Sequence, residues 1–132
     1  MSQPLFSVSD STELLVLWRL VAEAKFQLDP DDADLWGSPY VNALSQRIAD
    51  ALLNSYEMQG DGEAIAWHKR WVSSLESNVV LPVVRARLKA DAATEWWLKK
   101  SFAQKLAYVR ECVAPFEASV IFLEDLVREA EA

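Results

Sequence analysis

Four aspartates crowd into six residues of this chain: Asp29, Asp31, Asp32 and Asp34. Oxygen ligands at such spacing suit a hard cation, and the EF-hand loop is the pattern to test. That loop needs carboxylates or amides at positions 1, 3 and 5, glycine at 6 and glutamate at 12. Counting from Asp32, position 3 is Asp34 and position 6 is Gly37, but position 5 is Trp36 and position 12 is Ala43. Two ligands are missing. The segment therefore reads as a solvated acidic loop that presents negative charge, with Asp29, Asp31, Asp32, Asp34 and Trp36 as the candidate partner-binding residues.

The other groups suited to chemistry are isolated. His68 is the one histidine and lies between Trp67 and Lys69-Arg70-Trp71, so it reads as a surface or boundary residue rather than a general base. Cys112 is the single cysteine. It sits in an apolar helical run, which suits a buried, inert thiol. No H-E-x-x-H or C-x-x-C spacing is present, and none of the three glycines fits a phosphate-binding loop. No metal, no cofactor and no catalytic constellation is expected.

Aromatics interleaved with cations give a second candidate face. Trp67 and Trp71 are one helical turn apart beside Lys69 and Arg70; Trp96 and Trp97 precede Lys99 and Lys100. Together with Arg85, Arg87 and Lys89 they form the alternative binding set: Trp67, Lys69, Arg70, Arg85, Arg87, Lys89, Trp96, Lys99 and Lys100. Such tryptophans fill the core of a small bundle with lysines lying alongside, or the set serves as a protein-interface hot spot or, less in keeping with an acidic chain, stacks on nucleic-acid bases. A tryptophan-lined pocket for a small apolar ligand is a further alternative.

These residues need helices to position them. Only three glycines occur among 132 residues, and none after Gly62, which argues against hairpins and barrels. Asp10 with Glu13 forms a capping-box pattern, so a first helix runs from Ser11 to about Leu28, ahead of Asp29-Pro30. Its wide apolar stripe implies cover on most sides, as a central helix or at an oligomer interface. Ser38-Pro39 starts a second helix that ends at Gly60, with Val41, Leu44, Ile48, Leu52 and Tyr56 inward. Asp61-Gly62 starts a third, carrying Ala64, Trp67, Trp71 and Leu75 on one face. Residues 63–93 read either as one helix kinked at Pro82 or as two. Thr94 caps a helix reaching Val113, Pro115 breaks it, and a last helix carries Phe116, Val120, Leu123 and Val127 inward. The expectation is an all-α, single-domain antiparallel bundle of five or six helices over residues 1–132, with no sheet and with 1–9 as a loose arm.

Charge is segregated along the chain. Residues 1–66 hold three basic and eleven acidic side chains, 67–110 hold nine basic and three acidic, and 111–132 hold one basic and six acidic. The blocks either neutralise one another in the fold or steer a charged partner. The overall charge is −7, which disfavours nucleic acid. A single cysteine, no signal-peptide pattern and no membrane span point to a cytoplasmic protein. The composite expectation is a non-enzymatic protein-binding module, most concretely a bacterial immunity or antitoxin-type inhibitor or an adaptor. Its partner would be another protein, such as a basic toxin or enzyme; a homodimer through the first helix is the alternative.

Overall fold

The computed structural model describes residues 4–132 and contains helices and no strand among them. Among the described residues, eight α-helices and one 3₁₀ turn replace the expected five or six. Residues 4–9 form no helix; the first three residues of the expected arm lie outside the described residues.

α1 (Ser11–Lys25) begins at Asp10, whose side chain accepts a hydrogen bond from the Thr12 amide at 2.7 Å. Glu13 adds its charge to the first turn, where it complements the helix dipole. The helix stops at Lys25, three residues short of Leu28. Phe26 leaves helical geometry and turns its ring into the core against Trp36 and Phe116, so tertiary burial ends the helix before Asp29-Pro30 does. Cover over α1 is narrower than the apolar stripe implied: Leu14 and Trp18 are buried, while Val16 and Leu20 remain 51% and 65% exposed.

The acidic loop contains an unforeseen helical turn, α2 (Asp34–Gly37), preceded by Asp32, whose carboxylate accepts from the Asp34 amide at 3.0 Å. α3 (Pro39–Gln59) has the expected ends. Ser38 Oγ accepts from the Val41 amide, Pro39 occupies the first turn, and Gly60 closes the helix at φ 67°. Its inner face is rotated from the expected one. Asn42, Ser45 and Ala49 join Ile48 and Leu52 in the interior, and Leu44 faces solvent. Ser45 and Ala49 are buried, and α1 is the most extensive neighbour of α3.

α4 (Gly62–Val72) is capped by Asp61. A 3₁₀ turn (Leu75–Ser77) separates it from α5 (Leu81–Ala92), so residues 63–93 form two helices with Pro82 in the first turn of the second. Asn78 accepts from the Val80 amide and holds that connection. The helix expected from Thr94 is two. α6 (Glu95–Leu98) ends after one turn, because Ser101 and Gln104 make a reciprocal capping box that starts α7 (Phe102–Cys112). Pro115 breaks the chain as expected, and α8 (Val120–Glu131) starts at Ser119, leaving Phe116 in the connecting segment. One cluster of buried residues runs from Trp18 through Trp36, Val84, Leu88, Trp97 and Val109 to Val127. α8 packs chiefly on α5 and then on α7. No described helix is long and apolar enough to cross a membrane.

Candidate functional site

The four loop aspartates are all exposed. None of them takes part in an ion pair among the described residues. Asp32 is engaged with the backbone of its own loop, and no group of three or more acidic, histidine or cysteine side chains among the described residues is placed to hold a metal. Trp36 is placed differently from its charged neighbours. It is 2% exposed, so it lies beneath the loop rather than on it.

Three elements meet under that loop. The Trp36 indole N–H donates to Asp91 Oδ2 at 2.9 Å, and the Tyr108 hydroxyl donates to the same oxygen at 2.8 Å. α2, α5 and α7 are thereby tied to one carboxylate. Burial pushes the Asp91 carboxyl above its ordinary range; the two hydrogen bonds and the Arg87 guanidinium pull it back. The Tyr108 phenol is pushed up by burial and by its acidic neighbours Cys112 and Asp91. Gly37 makes this geometry attainable, since a Cβ there would lie 2.8 Å from the Tyr108 hydroxyl.

Beside this cluster lies Lys25, 2% exposed. Its ammonium donates to the Ala114 carbonyl at 3.3 Å and lies 5.1 Å and 6.0 Å from the ring centres of Phe26 and Trp36. No carboxylate among the described residues pairs with it, and burial brings it down to about 8. Cys112 is fully buried and pushed up to about 12 by that burial, which keeps the thiol protonated and unreactive at neutral pH.

His68 is not a surface or boundary residue. It is 3% exposed, edge-on to Tyr56 and Trp71, and its Nδ1 has no partner among the described residues. Its flanking cations face solvent, while 68 shares the α3-facing side of α4 with Val72 one turn on.

The basic and aromatic set is divided. Lys69 and Arg70 are exposed on α4 near Trp67, which stacks on Trp71 with parallel rings 5.9 Å apart. α4 packs chiefly on α3, whereas α5 packs chiefly on α8. There Arg85 pairs with Glu129 at 3.1 Å and Lys89 reaches the Ala132 carbonyl at 3.5 Å. Arg87 is half-buried on another face, its Nε without a partner among the described residues. Lys100 lies over the rings of Trp96 and Tyr108, and Lys99 is exposed beside them. Every ion pair among the described residues has a partner on α8: Glu129, Glu131, and Glu124 and Asp125 with Arg128.

Lys25, Asn42, Asp91 and Tyr108 carried no signal in the sequence. Each is a lone polar residue in a helical run, and what distinguishes it is which neighbours it meets across the fold. Neither protein-family models, curated proteins nor solved structures match this chain, so its functional reading rests on these residues.

Proposed function

We propose that the chain is a non-enzymatic protein-binding module whose contact surface is the acidic loop, acting as an immunity or antitoxin-type inhibitor or an adaptor for a basic partner. One observation carries the reading. The carboxylates of Asp29, Asp31, Asp32 and Asp34 are exposed and without ion pairs among the described residues, while α8 takes up Arg85 and Lys105 of the basic block. Unpaired charges on one loop give a field that speeds encounter with an oppositely charged face and selects against acidic ones. Trp36 serves as the buried anchor that sets the loop's position, not as a contact residue.

The test is affinity purification from the native host, at low and moderate salt, with the wild-type chain and with the triple variant Asp29→Asn, Asp31→Asn, Asp34→Asn. Asp32 is kept because its carboxylate accepts from the Asp34 amide and so holds the loop's own backbone. A stoichiometric basic protein held by the wild type and released by the variant or by salt is the expected result. Recovery of no stoichiometric partner at either salt concentration counts against the reading.

A further inference from the structure

The single histidine is enclosed. His68 lies between Tyr56 of α3, 6.4 Å away between ring centres, and Trp71 of its own helix, 5.5 Å away. It is 3% exposed, and its Nδ1 is buried without a hydrogen-bond partner among the described residues. A neutral imidazole tolerates such a box, because one of its nitrogens carries no proton and demands no acceptor. An imidazolium does not. Both of its nitrogens donate, and its charge has to leave water for a site that offers the buried nitrogen no acceptor.

The surrounding charges do not reverse this. Asp50 of α3 and Glu117 of the segment before α8 favour protonation, but both are exposed and neither pairs with the ring among the described residues. Asp50 is engaged instead by the Gln46 side-chain amide at 2.9 Å. The adjoining Lys69 and Arg70 of α4 are exposed cations and oppose protonation. Burial outweighs the two carboxylates and holds the imidazole below its ordinary range. The helix that carries the ring is lightly tied. α4 packs extensively on α3 alone. Beyond α3, Trp71 meets Trp18 of α1 and Phe116, with ring centres 5.0 Å and 5.6 Å away, and the Glu117 amide donates to the Val72 carbonyl at 2.7 Å. Trp18 and Phe116 bring no charge to the site. Gly60 ends the helix before α4 and Ser73 ends α4 itself, so α4 can move as a unit while α5 and α8 stay packed.

We propose that His68 is an acid-operated latch: its neutral ring seats α4 against α3, and its protonation in mildly acidic solution releases α4 as a unit and uncovers Trp18 and Trp71. The sign follows from linkage. Once released, the ring regains its ordinary affinity for protons, near 6.5, so below about that pH the open form binds one more proton than the closed form. The open fraction rises by up to about tenfold per pH unit, until the enclosed ring itself takes up the proton. The reading is independent of the acidic loop and its partner.

The test is amide hydrogen exchange of the full chain between about pH 7.5 and about pH 5, corrected for intrinsic exchange rates, together with the ring-proton resonances of His68. Protection of the amides from Trp67 to Val72 is expected to fall by up to about tenfold per pH unit below about pH 6.5, while α5 and α8 keep theirs. The ring is expected to stay neutral in the closed form and to titrate only as α4 opens. His68→Phe keeps an aromatic ring in the box and removes the proton site, so its α4 protection is expected to be independent of pH over this range. If that variant does not fold, the wild-type ring titration decides. A ring that titrates at or above about pH 6.5 while α4 stays protected overturns the proposal. So does α4 protection that is independent of pH in the wild type, an equal acid loss in His68→Phe, or a loss shared evenly by all helices.

Discussion

Trp36 and Tyr108 donate to one and the same oxygen of Asp91, at 2.9 Å and 2.8 Å. A single acceptor thus joins the base of the acidic loop to α5 and α7. Burial disfavours the charge on Asp91 while the two hydrogen bonds and Arg87 favour it, so its oxygen as an acceptor and its charge are separate contributions.

Replacement of Asp91 separates those two roles. Asp91→Asn keeps an oxygen that accepts from both donors and is expected to change stability by less than about 1 kcal/mol. Asp91→Ala leaves an indole N–H and a phenol without an acceptor in a half-buried site, at a cost of about 2–4 kcal/mol. Urea denaturation of the two variants distinguishes them. Equal losses would show that charge, not hydrogen bonding, holds the loop.

Gly37 and Tyr108 are coupled by space. A Cβ at position 37 would meet the Tyr108 hydroxyl at 2.8 Å, with the ring carbons farther off at 3.7 Å. Gly37→Ala is expected to destabilise by about 1–2 kcal/mol through overpacking. In the Tyr108→Phe background the same change should cost markedly less, because the clashing atom is gone. A double-mutant cycle measures the coupling, and additive losses would exclude it.

Stability should rise above about pH 8 and level off above about pH 9. The Lys25 ammonium falls to about 8 in the fold from an ordinary 10.5. Below about pH 8 both folded and unfolded chains hold the proton and this group gives no slope. Above it the unfolded chain binds more protons, so stability rises by up to about 1.4 kcal/mol per pH unit. Cys112 opposes this above pH 9, because its thiol is held up to about 12 while the unfolded thiol ionises from 9.0. Lys25→Met should remove the rising limb and Cys112→Ala the falling contribution of the thiol. Denaturation midpoints between about pH 7 and about pH 10 read out both contributions.

Gly60 tests a backbone argument with no packing component. It ends α3 at φ 67°, and a Cβ there would meet nothing within 4 Å. Gly60→Ala should cost about 1 kcal/mol from the left-handed conformation alone, and Gly60→Asn less, since asparagine tolerates that region. Equal losses for the two would point to some other cause.

Local signals in the sequence carried the all-helical fold well. The missing glycines after Gly62, the Ser38-Pro39 start, the Gly60 stop and the Asp61 cap all act within a few residues, and each is found where its chemistry places it. The extra helix boundary between α6 and α7 was also legible, since Ser101-x-x-Gln104 is a capping box; continuous apolar spacing from Trp97 to Val109 masked it. The end of α1 was not legible, because Phe26 leaves the helix to reach Trp36 and Phe116, residues far along the chain. The same holds for the cluster beneath the loop. A lysine between apolar neighbours and an aspartate between alanines look ordinary until the fold brings them to Ala114 and Trp36.

The shared carboxylate also sets an order of assembly. Tyr108 lies 17 residues from Asp91, and Trp36 lies 55. Closing the longer span costs about 1 kcal/mol more chain entropy than closing the shorter. The α5–α7 contact can therefore form first and hold out its oxygen, and the acidic segment docks onto it afterwards. On this ordering the segment between α1 and α3 is among the last parts of the chain to become native and the first to let go, so its opening, not global unfolding, sets the exchange rate of the Trp36 indole proton.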